Sequence, residues 1–336
     1  MQWNECVQIC PNPVCPRRDL RKSNSKGYFL ELCLKSQLET IMSRIDIQKA
    51  LKKQKKKISN KVDGVWDITS GSLYQKFMGE GGPFSSVHPY NMSFSLNTDG
   101  VNLVKSQTWS IWPVYLMINK LPYSMRIQKQ NMIIAGVWFS LVKPVMNLFL
   151  GPIRKALASI EKDGISISID GEMHTCRGFL ICATCDIPAK ALVLGMKQHN
   201  GEYSCTRCQQ SGRNYRTDTK GNVRVFPYQT EDPTGPSRTH ENYQADAISA
   251  TTTGVPTRGI KGPSPLLGLQ CFDIIRGTTV DYMHCILQGV TKLMCSLWFA
   301  GKNSKELFSL NKLTPTVDKR LKNINPVQSI TRKPRI

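Results

Sequence analysis

"RGFLICATCDIPAKALVLGM", residues 177–196, joins a nearly continuous apolar run to an acid, a proline and a second apolar run. An apolar run without alternation, bounded by turn residues, is the pattern of a strand buried on both faces. The run ends on Asp186, and Pro188 then falls in the first turn of a helix, where its missing N–H costs nothing. A doubly buried strand followed at once by a helix predicts an α/β fold.

Upstream, "ISISID" at 165–170 alternates strictly, as a strand or one arm of a hairpin does. Before it, "NLFLGPIRKALASIEKDG" at 147–164 reads as a helix closed by Gly164. Earlier still come "MSFSLNTDG", the aromatic and β-branched "TWSIWPVYLMIN", and "NMIIAGVWFS". These predict three strands, with Pro113 marking a bulge or a sheet edge. In chain order the pattern fits a mixed sheet whose first three strands meander. The helix then crosses over and brings the doubly buried strand in beside the first, parallel to it.

That arrangement sets Asp99, in "SLNTDGVNL", and Asp186 on one rim of the sheet. Each acid also has a plain reading. Asp before Gly is a turn dipeptide, and Asp186 before "IP" suits a helix N-cap. Paired carboxylates at adjacent strand ends are equally the hard oxygen donors that Mg²⁺ or Mn²⁺ prefers. Two such ions can activate a water or a 3′-hydroxyl and stabilise the leaving oxygen of a phosphodiester.

The chain's 336 residues are enough for two domains or one with large insertions. Forty-five Lys and Arg against 24 Asp and Glu give a net charge of +21. Such an excess favours polyanionic partners, nucleic acid ahead of anionic membrane. "MQWNECVQIC" has no basic start or long apolar core, and stretches such as "WPVYLMI" are too short to cross a bilayer. The expectation is a soluble intracellular protein without a membrane partner.

In that setting the 12 cysteines read as reduced thiols or metal ligands rather than disulfides. Cys6, Cys10 and Cys15 lie in a polar N-terminal stretch that turns basic, either as thiols or as part of a zinc knuckle. Cys205-x-x-Cys208 sits in the polar loop "HNGEYSCTRC" and makes half a zinc site. His284 in "VDYMHCILQGVTK" and His240 in "SRTHEN" are the candidates to complete it, with Asp281 and His199 behind them. Cys182 and Cys185 fall inside the buried strand, where residues i and i+3 point to opposite faces, and read as packing cysteines.

In the N-terminal region Leu30, Leu34, Leu38, Ile41 and Met42 recur at helical spacing. "KKQKKK" follows, and Lys52, Lys53, Lys55, Lys56 and Lys57 read either as a solvated face or as a phosphate-contacting or nuclear-import patch. "DGVWDITSGSLYQKF" and "GEGGPF" read as a Gly- and Ser-rich connector. No Gly-Lys-Ser/Thr, Gly-x-Ser-x-Gly or His-Glu-x-x-His is present, which removes the phosphate-loop, serine-hydrolase and zinc-protease signatures. Trp109, Trp112, Trp138 and Trp298 stand in apolar runs and read as core.

Several phrases, in order, carry a family resemblance: "TDGV", "SIWPVYLMIN", "NMIIAGVWF", "CATCDIPAKALVLGMKQHNGEYSCTRC", "KGPSPLL" and "DYMHCILQGVTKLMCSLWF". From about residue 60 onward the chain resembles the transposases of the CACTA (En/Spm) family in their animal form. The resemblance implies a DDE-type enzyme: an RNase H-like core in which two Asp and one Glu bind two divalent metals, Mg²⁺ or Mn²⁺. Such an enzyme cleaves DNA by hydrolysis and joins the freed 3′-hydroxyl to a target. Asp99 corresponds to the first acid and Asp186 to the second. "CTRC" and the His of "DYMH" resemble the zinc-binding insertion that such families carry before the Glu.

The domains expected are a basic, cysteine-containing N-terminal region over 1–60, an RNase H-like core over 61–196, a mainly helical and loop-rich zinc-binding insertion over 197–300, and a basic segment over 301–336. The family's last acid is expected on a helix beyond "ITRKPR", so the chain reads as truncated before it and the core as incomplete. Glu306 in "GKNSKELFSL" looks like a surface turn instead. The expectation is a nuclear, DNA-acting transposase-like protein, inactive as it stands and possible as a homo-oligomer. The alternative is a relict or domesticated fragment that binds DNA, with the N-terminal stretch and "RKPRI" contributing, without catalysis.

Overall fold

The structure, a computed structural model, describes residues 27–59, 64–103, 109–217 and 221–325. Strand β1 (Tyr28–Glu31) leads into helices α1 (Leu34–Met42) and α2 (Ile45–Ser59). A short helix, α3 (Ser72–Lys76), precedes β2 (Met92–Thr98), β3 (Val101–Asn102), β4 (Ser110–Ile118), the single turn α4 (Tyr123–Arg126) and β5 (Ile133–Ser140). Helix α5 (Met146–Lys162) follows, then the hairpin β6 (Ile165–Ile169) and β7 (Glu172–Cys176), then β8 (Gly178–Thr184) and α6 (Ile187–Val193). Beyond α6 lie the ribbon β9 (Arg213–Arg216) and β10 (Asn222–Val225), helix α7 (His240–Thr253) and β11 (Thr278–Thr279). The chain divides after Thr279 into two compact units. The second carries a π-helical stretch, Tyr282–Thr291, which continues as α8 (Lys292–Phe299), and then α9 (Thr314–Lys322).

The main sheet of the first unit has the order β1-β5-β4-β2-β8-β11, with β3 paired to β4. Strands β2, β4 and β5 form an antiparallel meander. Helix α5 then carries the chain back so that β8 pairs with β2 in parallel, and β11 extends the parallel part beyond β8. This is the meander and crossover that the strand and helix order predicts.

Strand β8 is apolar throughout because both its faces are covered. Leu180 joins the main core with Phe94, Leu96, Leu116 and the α5 residues Phe149, Ile153, Leu157 and Ile160. Phe179 and Ile181 point the other way, into a second cluster with Tyr74, Phe84 and Cys271. The α5 residues recur at i, i+4, i+8 and i+11, so one stripe of the helix faces the sheet. Gly164 closes it at φ +72°, where a Cβ would sit 2.8 Å from the Cys176 carbonyl oxygen. "ISISI" puts Ile165, Ile167 and Ile169 inward, but it pairs with β7 in a separate hairpin and stays out of the main sheet.

Three local expectations change. Leu30 belongs to the edge strand β1 and is exposed, so the helical stripe begins at Leu34, with Leu34, Leu38, Ile41 and Met42 buried. Where β1 ends, the side chain of Gln37 takes over its pairing: Nε2 donates to the Ile134 carbonyl at 2.9 Å and Oε1 accepts the Ile134 N–H at 3.1 Å. The lysine run continues helix α2, with Lys52 ion-paired to Asp170; the side chains of Lys55, Lys56 and Lys57 lie outside the described ones. The connector supplies core, since Tyr74 stacks on Phe84 with centroids 4.9 Å apart.

Pro113 is neither at an edge nor at the bulge, which falls between Val114 and Tyr115. On one side it pairs with Val137; on the other it lies between Val114↔Thr98 and Ile111↔Val101, opposite the break at Asp99-Gly100. A residue without an N–H fits where the ladder is already interrupted.

Candidate functional site

Because β2 and β8 are parallel, their C-terminal ends open on one edge of the sheet. Asn97 stands opposite Thr184 in register, and its Nδ2 donates to the Thr184 carbonyl oxygen at 2.8 Å. Thr184 Oγ1 lies 3.0 Å from Thr279 Oγ1, which ties β11 to the same edge. Asp99 follows β2 directly and Asp186 comes two residues after β8. Both acids line a cleft of about 320 Å³, together with Trp112, Ser110, Asn102 and Lys143.

Each acid is also fixed locally. Asp99 Oδ1 accepts the Gly100 N–H at 2.7 Å. A Cβ at Gly100 would lie 2.4 Å from the Trp112 indole, so only glycine lets the backbone settle on that ring. Asp186 is the N-cap of α6, its Oδ1 accepting from Ala189 N at 2.7 Å, with Pro188 in the first turn. Thus the cap reading of Asp186 holds, whereas Asp99-Gly100 is no chain reversal: it is a break in a strand that runs on along β4, from Thr98↔Val114 to Val101↔Ile111, and both acids still line the same cleft. Cys185 lies between the strand end and Asp186, and burial pushes its thiol up to about 12, so it is an inert packing group.

Two carboxylates in one cleft are a donor set of the type Mg²⁺ or Mn²⁺ takes, with water and phosphate oxygens completing the shell. Among the described residues no group of three or more His, Cys, Asp or Glu side chains gathers to hold a metal. Glu306 lies in the second unit, in a turn after Gly301–Asn303.

The Cys205–Cys208 loop is a built feature. Cys205 Sγ accepts the N–H groups of Arg207 and Cys208, each at 3.4 Å. Burial, then the neighbouring Cys205 thiol, raise the Cys208 pKa, with the Gln210 N–H opposing them. Behind the loop Arg238 has a fully buried side chain that donates to the carbonyls of Tyr203, Cys205, Cys208 and Arg258 and stands 3.8 Å from Asp246. Arg207 donates to Ile275 O at 2.8 Å and Thr278 O at 2.6 Å, which pins the loop beside β11.

The other candidate zinc ligands are engaged differently. His240 opens α7, and its Nδ1 accepts from Ile274 N at 3.1 Å. His284 lies in the second unit, with Nδ1 3.1 Å from Asp281 Oδ2. His199 presents its backbone carbonyl to Ser204 Oγ at 3.0 Å. Cys6, Cys10, Cys15 and the "RKPRI" terminus lie outside the described residues.

Sequence reasoning passed over Asn97, Lys143, Arg207 and Arg238. Lys143 follows β5 in "SLVKP" with no pattern to mark it. Arg238 lies in a loop without periodicity, where nothing separates a buried guanidinium from a solvated one.

Residues 71–226 match the family model described as transposase family tnp2. The matched segment runs from the helix α3 region to the end of the β9–β10 ribbon and includes both acids and the Cys205–Cys208 loop. No curated protein matches the chain. No helix among the described residues is long and apolar enough to cross a membrane.

Proposed function

We propose that this protein is a transposase-type DNA strand-transfer protein of the DDE kind, related to the CACTA (En/Spm) transposases and acting on DNA in the nucleus. The observation that carries the reading is the convergence of Asp99 and Asp186 in one cleft, at the ends of adjacent parallel strands, inside a segment similar to transposases. The strand order supports an RNase H-like core: an antiparallel meander of three, then a parallel strand beside the first and another beyond it.

In this reading Asp99 and Asp186 hold divalent metal at the rim. A bound Mg²⁺ or Mn²⁺ supplies an activated water and neutralises charge on the phosphodiester. Asn97 fixes the spacing of the two strand ends, and the α6 cap fixes the Asp186 carboxylate, so neither acid reorganises when metal enters. Lys143, on the cleft wall, contributes a positive charge toward the phosphate. Cys205 and Cys208 would supply two of the ligands of a structural zinc. Two backbone N–H groups on one sulfur fit a metal-bound thiolate, the form that zinc requires.

The test is Mn²⁺-dependent nicking of supercoiled plasmid by the purified chain, beside Asp99→Asn and Asp186→Asn. Asn keeps the backbone N–H bonds that the two side chains accept while removing the charge. Loss in both variants is expected; full nicking by either would overturn the acid pair. A second reading, DNA binding without catalysis, is favoured by the gathering of only two acids among the described residues. It predicts an inert parent with salt-sensitive DNA binding.

A further inference from the structure

We propose that the β9–β10 ribbon is a contact surface for duplex DNA, entering the major groove; the inference rests on the DNA-acting reading above. The ribbon is a two-stranded sheet separate from the main one. Its register pairs Arg213 with Val225, Asn214 with Arg224, Tyr215 with Val223 and Arg216 with Asn222. Opposed residues share a face and alternate residues switch faces. One face therefore carries Asn214, Arg216, Asn222 and Arg224, without an apolar residue.

All four residues of β9 are exposed, and Tyr215 is 57 % exposed. Arg213 and Arg216 have no ion-pair or hydrogen-bond partner among the described residues, whereas Arg224 turns back to the carbonyls of Ser211 and Gly212, at 3.2 Å each. The ribbon is thus anchored at its base, where Gly212 takes φ +67°, and Arg216 stands farther out on the face without apolar residues, while Arg213 lies at the base on the other face. Two strands alone are marginal in water, and an exposed ribbon with free guanidinium groups suits a polyanion as its cover.

Duplex DNA is the occupant that the chemistry selects. The chain's charge of +21 favours a polyanion. A two-stranded ribbon fits the B-DNA major groove, and Arg and Asn are the side chains that pair with guanine and adenine edges there. The A-form RNA major groove is too narrow to admit it.

The experiment is a salt titration of affinity for a labelled DNA duplex. It uses the full chain, Arg216→Gln, and a control of equal charge change, Lys129→Gln. Each phosphate that is no longer neutralised by a side chain lowers the slope of log K against log salt by about 0.9. The ribbon variant is expected to lose about 1 unit of slope and several-fold in affinity, with an unchanged melting temperature. The lysine control should bind like the parent.

Equal behaviour of ribbon variant and control would overturn the ribbon assignment alone. A parent that binds no duplex would overturn it together with the DNA-acting reading. An equal loss on double-stranded RNA would overturn the groove placement.

Discussion

Asn97 and Thr184 face each other where the parallel strands β2 and β8 end, joined by a side-chain hydrogen bond of 2.8 Å from Asn97 Nδ2 to the Thr184 carbonyl. The bond lies beside the two acids of the cleft and fixes the gap between the strands that carry them. Asn97→Ala should cost about 1 kcal/mol of stability, the worth of one hydrogen bond. Its effect on Mn²⁺ dependence should be larger: the metal concentration for half-maximal nicking rises several-fold at a temperature where the variant is fully folded. An unchanged metal titration would make the bond purely structural.

Gly100 is held against the Trp112 indole, where an added Cβ would meet ring atoms at 2.4 Å. Gly100→Ala must displace the indole or the backbone at the Asp99-Gly100 break, at a cost of about 1–3 kcal/mol for overpacking. The expected result is a lower melting temperature with a shifted tryptophan emission, and loss of nicking beyond what unfolding explains. A variant with parental stability and emission would show that the backbone there relaxes freely.

How far the fold is legible in the sequence depends on where the signal is periodic. The meander, the crossover helix and the doubly buried β8 each announce themselves in texture, and the strand order then brings Asp99 and Asp186 to one edge. Leu30 misleads because a strand residue falls in phase with the helical stripe that begins at Leu34. Tyr74 is hidden in a Gly- and Ser-rich stretch, since a single buried ring leaves no period. The supports of the Cys205–Cys208 loop, Arg207 and Arg238, are illegible for a further reason: their partners are backbone carbonyls of residues up to 71 positions away, and carbonyls carry no sequence signal.

Arg126 and Asp67 form a two-pronged ion pair at 2.9 and 2.7 Å, with Arg126 only 8 % exposed and also bonded to the carbonyls of Asn119 and Leu121. Removing one partner strands a buried charge, which costs about 3–5 kcal/mol. Arg126→Met should therefore lower the urea midpoint sharply, while Arg126→Met with Asp67→Leu should recover part of the loss. A single variant within about 1 kcal/mol of the parent would show that water reaches the pair.

Glu161 is buried on α5, accepting the Gln270 N–H at 3.0 Å. Desolvation raises its pKa above the usual carboxylate range, opposed by backbone N–H groups and by Arg154. A raised carboxylate pKa means that the folded chain holds the proton more tightly than the unfolded chain. Its stabilising contribution is full below the unfolded pKa and is lost as pH rises through the folded one. Glu161→Gln keeps an acceptor for Gln270 without the charge, so it should raise the melting temperature at pH 7.5 more than at pH 4. A larger gain at pH 4 would reverse the assigned sign.

Cys205 and Cys208 share one tightly bonded loop. The N–H groups of Arg207 and Cys208 both point at Cys205 Sγ, and Arg238 holds the carbonyls of the same loop from behind. Such a loop is shaped before any metal arrives, so zinc binding should depend on the thiols first and the scaffold second. Metal analysis of the parent should find zinc near one per chain. Cys205→Ser and Cys208→Ser should lose it, and Arg238→Lys, which keeps the charge but not the fork of donors, should weaken it. His240→Ala decides a third ligand: its Nδ1 already accepts from Ile274 N, so only Nε2 is open to metal. Loss of zinc there adds His240 to the site, while retention removes it. Retention of a full zinc by Cys205→Ser would place the metal elsewhere and leave the loop as a purely structural clasp on β11.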